Sequence, residues 1–256
     1  MPNKALGQHW LKDRLILEAI ADSALLSPDD VVLEIGPGLG TLTSVLLSRV
    51  ERVVAVEYDS ELARKLPGQF PGKQLEVVNA DFLTFNLDSL PKGYKVVANV
   101  PYYITQKIVE RLLQTTYTPE TMVLLVQREV AEKLAAGPGK LTAVSAKLQL
   151  DYDVQLGTRV PKEYFLPPPK VDSQVAICKK HHVDKYVQNR EQVYKMIEAG
   201  FSTPRKKLHT ALAGGLGMSK DMATVLCTQA SIDSNMRAQD LTVEQWVLLA
   251  GTYDKS

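Results

Sequence analysis

Through its first two-thirds the chain alternates short, mainly apolar runs with longer stretches in which apolar residues recur every three or four positions. Residues 31–35, 53–57, 75–79, 95–99 and 122–126 are runs of the first kind. They are apolar through most of their length, which predicts strands of a parallel sheet covered on both faces, with helices crossing between them. Residues 152–158 and 173–178 read as a closing pair of strands around the turn-rich Phe165-Leu166-Pro167-Pro168-Pro169. After about residue 180 the strand signals stop. Residues 187–199, 204–213, 220–228 and 243–252 read as helices, with Pro204 at a first helical turn, where proline is tolerated. The pattern predicts an α/β Rossmann-like domain over 1–181 and a small α-helical domain over 182–256, with the boundary near 181–184.

The loop after the first of these runs is glycine-rich: Glu34-Ile35-Gly36-Pro37-Gly38-Leu39-Gly40. Alternate glycines let the backbone turn sharply and approach a ligand closely. In a doubly wound sheet a nucleotide binds at this place, beyond the carboxyl end of the first strand. The spacing G-x-G-x-G differs from the G-x-G-x-x-G of dinucleotide enzymes. Glu57, followed by Tyr58, ends the second run, where a carboxylate can accept from both ribose hydroxyls. Asp81 follows the third, where it can meet an adenine amino group, with Phe82 beside the ring. Acidic residues at successive strand ends favour S-adenosylmethionine over NAD.

Asn99-Val100-Pro101-Tyr102 follows the fourth run. The exocyclic amine of adenine is a weak nucleophile because its lone pair is delocalised into the ring. The Asn99 side-chain oxygen and the Val100 carbonyl, on a turn fixed by Pro101, are suited to accept both amine hydrogens and aim the lone pair at a methyl group. That is catalysis by orientation and electrostatics. Tyr102 is then a stacking platform for a base taken out of its helix. Phe165 is either the opposite wall of such a base pocket or a buried aromatic.

Composition narrows the setting. Of 256 residues, 45% are hydrophobic and 23% charged, the usual mix of a soluble globular protein. No apolar run approaches the roughly 20 residues of a membrane helix, and the first residues lack a signal-peptide stretch. The two cysteines, Cys178 and Cys227, form no disulfide framework or metal-ligand pattern, which suits ordinary thiols in the cytoplasm. The net charge of +1 is unevenly spread: Lys179 to Lys207 hold eight Lys/Arg against three Asp/Glu, with His181 and His182 inside the segment and His209 just beyond it. Such a patch suggests a phosphate-bearing partner, although a solvated helix face has the same composition.

Five motifs along nearly the whole chain give it a resemblance. Gly7-Gln8-His9-Trp10-Leu11, the glycine loop, Asn99-Val100-Pro101-Tyr102-Tyr103-Ile104-Thr105, Phe165-Leu166-Pro167-Pro168-Pro169-Lys170-Val171-Asp172-Ser173 and Phe201-Ser202-Thr203-Pro204-Arg205-Lys206-Lys207-Leu208 resemble the signatures of ribosomal RNA adenine dimethyltransferases of the KsgA/RsmA type. The resemblance implies transfer of two methyl groups to each of two adjacent adenosines in a hairpin loop near the 3′ end of 16S rRNA. The substrate it implies is the small (30S) subunit or its assembly intermediate, with a role late in subunit biogenesis. It implies S-adenosylmethionine contacts at His9, Leu11, Gly36, Glu57, Asp81 and Asn99. The fuller set of expected cofactor residues adds Gly38, Gly40, Tyr58 and Phe82, and the expected RNA contacts are Lys170, Arg205, Lys206 and Lys207. No metal and no membrane are expected, and the resemblance suggests a monomer. His9 stands where the family often has Asn, and Val100 where it often has Leu. The related resistance enzymes of large-subunit rRNA, a non-catalytic assembly factor and a DNA adenine methyltransferase are the rival readings.

Overall fold

A computed structural model of the chain describes residues 9–181 and 189–253. Gly7 and Gln8 of the N-terminal motif, residues 182–184 of the expected boundary, Lys185 of the basic segment and the first two positions of the helix expected at 187–199 lie outside them. The described residues form two compact units.

In the first unit, β1 (Trp10–Leu11) and α1 (Arg14–Asp22) precede the run of strands. These are β2 (Val31–Ile35), β3 (Arg52–Glu57), β4 (Gln74–Asn79), β5 (Lys95–Asn99) and β6 (Thr121–Gln127), separated by α2 (Thr41–Leu46), α3 (Ser60–Lys65) and α4 (Thr105–Leu113). After α5 (Arg128–Leu134), and beyond α6 (Ala143–Asp151), which belongs to the second unit, come β7 (Tyr152–Val160), β8 (Phe165–Leu166) and β9 (Ser173–Lys180). The seven-stranded sheet has the order β4-β3-β2-β5-β6-β9-β7. Strands β2 to β6 are parallel, and β9 runs antiparallel to β6 with Thr121 opposite Lys179 and Gln127 opposite Ser173. The expected strands are therefore present, but β4, at the edge of the sheet, is only partly buried, and the closing pair makes the sheet mixed.

Strand order reverses between β2 and β5, so the loops leaving these two strands diverge and open a crevice at the switch point. The glycine loop leaves β2 and the Asn99 turn leaves β5. One face of the sheet buries Val32, Val53, Val97, Val123 and Val175 against Leu17 and Ile20 of α1 and Leu42, Val45 and Leu46 of α2. A two-strand ribbon, β1 paired antiparallel with β8, sets Trp10 opposite Leu166 and Leu11 opposite Phe165.

The second unit joins Lys133–Tyr152, with α6, to the residues from His181 onward. Those form α7 (Arg190–Phe201), α8 (Leu208–Leu216), α9 (Lys220–Gln229) and α10 (Val243–Tyr253). The division differs from the one expected at 181/182, because Leu141, Ala146 and Leu150 are buried with Met196, Leu212 and Trp246. Two helical glycines permit close packing: a Cβ on Gly200 falls 2.3 Å from the Trp246 ring, and one on Gly215 falls 2.4 Å from Ala199 Cα. Pro204 does not open a helix. It lies in the turn before α8, whose N-cap is Lys207.

Candidate active site

The three loop glycines after β2 all have positive φ, at +67° for Gly36, +58° for Gly38 and +80° for Gly40, a region that other residues enter only at a cost. Gly36 N–H donates to the Val56 carbonyl at 2.9 Å, which ties the loop to β3. Gly38 N–H donates to Glu57 Oε2 at 3.0 Å, and Asp59 N–H donates to Glu57 Oε1 at 2.8 Å. Glu57 is thus aimed by both its own loop and the glycine loop. Burial raises its pKa, and these N–H donors pull it back.

Glu34, the penultimate residue of β2, is fully buried. Burial pushes its carboxyl up to about 8, against a 2.6 Å hydrogen bond donated by the Thr43 hydroxyl. At neutral pH it is mostly the uncharged acid. A carboxyl inside an otherwise apolar strand is the mark it leaves in the sequence.

Two cavities flank Gly36 and Pro101, which line both. The first is walled by His9, Trp10, Leu11, Glu34, Gly38, Asn99, Val100 and Tyr102. The second, of about 240 Å³, is walled by Glu57, Tyr58, Asp81 and Phe82, together with Leu83, Tyr103 and Ile104. Trp10, Glu34, Thr41 and Tyr103 also line the cavities, although the sequence reading gives none of them a site role. Trp10, Glu34 and Tyr103 lie inside the motifs and Thr41 directly follows the glycine loop, so membership of a motif is the available sign.

Asn99 ends β5. Its Nδ2 donates to the His9 carbonyl at 3.1 Å, which turns Oδ1 away from that contact and leaves it free to accept. His9 Nδ1 lies 2.8 Å from the Pro167 carbonyl, and since a carbonyl only accepts, that nitrogen carries the proton. The His9 ring stacks on Tyr102, with centroids 5.8 Å apart. The Tyr102 hydroxyl meets Ser173 Oγ at 2.5 Å, and burial pushes the phenol up to about 12, so it stays neutral. Pro101 brings the turn against the glycine loop, its Cδ 3.8 Å from where a Gly36 Cβ would stand.

Several expected site residues lie elsewhere or do double duty. Phe165 is 3% exposed and buried with Leu11, Leu17 and Val160, so it lines neither cavity; the buried-aromatic alternative describes it, because pairing with β1 turns its side chain into the core. Leu11 combines that core position with the first cavity. Gly40 lines neither cavity: it is the N-cap of α2, where a Cβ would stand 2.6 Å from Leu66 Cδ1. Lys170 sits on the first unit in a separate cleft, while Arg205, Lys206 and Lys207 are exposed on the second, with Lys207 Nζ donating to Asn235 Oδ1 at 2.7 Å.

The donor set fits S-adenosylmethionine. Carboxylates of Glu57 and Asp81 face one cavity, as a diol and an amino group require, and a glycine cradle adjoins both. The wall over Gly38 also carries an orphaned donor, the buried Nε1 of Trp10. Among the described residues, no three His, Cys, Asp or Glu side chains are grouped to hold a metal, and no helix is long and apolar enough to cross a membrane.

The profile of the family described as ribosomal RNA adenine dimethylase matches residues 2–255. A "Ribosomal RNA small subunit methyltransferase A" of Nostoc sp. is 39% identical, over 97% of both chains. One of Dehalococcoides mccartyi is 37% identical over 98% of this chain and 88% of its own. Among solved structures, the 23S rRNA methyltransferase ErmE aligns with a TM-score of 0.75 at 29% identity, covering 96% of this chain and 99% of its own. A dimethyladenosine transferase from Plasmodium falciparum shares the fold with a TM-score of 0.82 at 24% identity, covering 96% and 98%. With a donor set that fits S-adenosylmethionine and a family match along almost its entire length, this chain belongs to the ribosomal RNA adenine dimethylase family, whose members are S-adenosylmethionine-dependent methyltransferases.

Proposed function

We propose that this enzyme dimethylates the N6 amines of two adjacent adenosines in the hairpin loop near the 3′ end of 16S rRNA, acting as a monomer in the cytoplasm on the small subunit or its late assembly intermediate. The similarity to relatives named for the small subunit supports that choice over a large-subunit target. The observation that carries the chemistry is the anchored amide of Asn99, whose Oδ1 is held free at the crevice.

Glu57 holds the ribose of the cofactor and Asp81 its adenine, with Tyr58 and Phe82 bordering the same cavity; His9, Trp10 and the Gly36–Gly38 backbone line the space for its amino-acid end. When bound, S-adenosylmethionine supplies an electrophilic methyl group. Asn99 Oδ1 and the Val100 carbonyl accept from the target amine's two hydrogens and orient its lone pair. Tyr102, braced by Ser173 and His9, offers its ring to the extruded base. Its neutral phenol is no base, so the proton released after transfer passes to water. Arg205, Lys206 and Lys207 hold RNA phosphates.

The test is methyl transfer to undermethylated small subunits, with large subunits assayed in parallel, followed by mapping of modified bases. Two neighbouring dimethyladenosines support the proposal. Binding without incorporation sinks it, and incorporation only into large subunits redirects it.

A further inference from the structure

A cleft of about 390 Å³ lies on the first unit outside both cofactor cavities. It is lined by Arg128, Arg159, Lys162 and Lys170, against the carboxylates of Glu129 and Asp172 and that of Glu132, which pairs with Arg128 at 3.5 Å, so four cations stand against three carboxylates. Asp172 organises it. Its Oδ2 accepts from Arg159 at 2.6 Å, its Oδ1 from Lys162 N–H at 3.2 Å, and its main-chain carbonyl from Arg128 N–H at 3.0 Å. The Arg159 pair and the Lys162 N–H hold the Asp172 carboxyl below the usual range, so it remains an anion that fixes the frame while cationic charge stays in excess.

The next residue, Ser173, is fully buried and holds the Tyr102 hydroxyl. The cleft is therefore in fixed register with the catalytic turn. Asn99 ends β5, Gln127 ends the adjacent β6, and Ser173 begins β9 beside it. Two strand spacings, roughly 10 Å, separate the β5 and β9 ends. We propose that this cleft binds backbone phosphates of the RNA strand carrying the target adenosine, close to the extruded nucleotide, and so sets the position of that strand over Asn99. The inference rests on the proposed RNA substrate.

The experiment uses the full chain with Arg159→Gln and Lys162→Gln together, and Lys162→Gln alone, because Lys162 is exposed and only its backbone N–H holds Asp172. Binding of S-adenosylhomocysteine should match the parent, which also reports correct folding. Affinity for undermethylated small subunits should fall about tenfold for the pair. The slope of log K against log salt should become shallower by about 0.7 for each phosphate that is no longer neutralised. The effect should fall on KM for the subunit more than on kcat. An unchanged slope and affinity in the double variant overturns the proposal. So does weaker subunit binding with unchanged binding of the isolated rRNA hairpin, which assigns the cleft to an acidic protein instead. Failure of the parent to bind subunits or hairpin refutes the substrate reading itself, a separate outcome.

Discussion

The side-chain amide of Asn99 is anchored on the backbone carbonyl of His9, 3.1 Å away and ninety residues earlier in the chain. The contact fixes which end of the amide faces the crevice. Asn99→Ala removes the acceptor and is expected to lower single-turnover methyl transfer by about 10²–10³-fold, the usual effect of deleting one preorganised polar group at the reacting atoms. Asn99→Asp keeps an acceptor but gives up the donor to His9, so it should also be impaired. Full activity in either variant would show that the amine is oriented by another group.

Two glycines of one loop should fail in different ways. A Cβ at Gly38 meets the Trp10 ring at 3.2–3.3 Å, at the wall of the first cavity. Gly38→Ala should therefore weaken S-adenosylhomocysteine binding at least tenfold, measured by calorimetry. A Cβ at Gly40 meets Leu66 and Phe70 in the core at 2.6–3.3 Å. Gly40→Ala should act mainly on stability, by about 1–3 kcal/mol, measured by denaturant unfolding.

Glu34 makes stability depend on pH. The folded chain keeps its proton to about pH 8, whereas the unfolded chain releases it near 4.5. Between those values the folded state binds more protons, so this contribution, complete below about 4.5, is lost as pH rises towards 8. Glu34→Gln retains an acceptor for the Thr43 hydroxyl and cannot ionise. Its melting temperature should fall less steeply between about pH 5 and 8 than the parent's. Parallel profiles would mean that Glu34 is ionised in the folded protein.

The exposed triad of the second unit should act on RNA alone. Replacing Arg205, Lys206 and Lys207 by Ala is expected to weaken subunit binding and flatten its salt dependence by about 2 in log–log slope. Cofactor affinity should stay within twofold of the parent. An equal drop in cofactor affinity would contradict the separate roles of the two units.

Much of the crevice is legible in the sequence because its residues lie at the ends of mainly apolar strands. The runs ending at Ile35, Glu57, Asn79 and Asn99 mark strand ends by themselves, and Glu57 and Asn99 at two of those ends line the cavities. What escapes has no period to read. A two-residue strand such as Trp10–Leu11 carries no alternation, so its pairing with Phe165–Leu166, and the burial of Phe165 that follows, are invisible there. Local preference puts Pro204 at a helix start, but the turn at 203–206 precedes the helix. Position along the chain puts the 133–152 segment with the sheet, whereas its apolar residues are buried with helices far later in the sequence.

The central claim, methylation of two neighbouring adenosines by the Asn99 turn, is tested most directly by mass spectrometry of the 3′-terminal fragment of 16S rRNA after incubating undermethylated small subunits with cofactor and either the parent enzyme or Asn99→Ala. The account predicts two adjacent N6,N6-dimethyladenosines with the parent and essentially none with the variant. Methylation at any other base, or equal modification by both proteins, would contradict it.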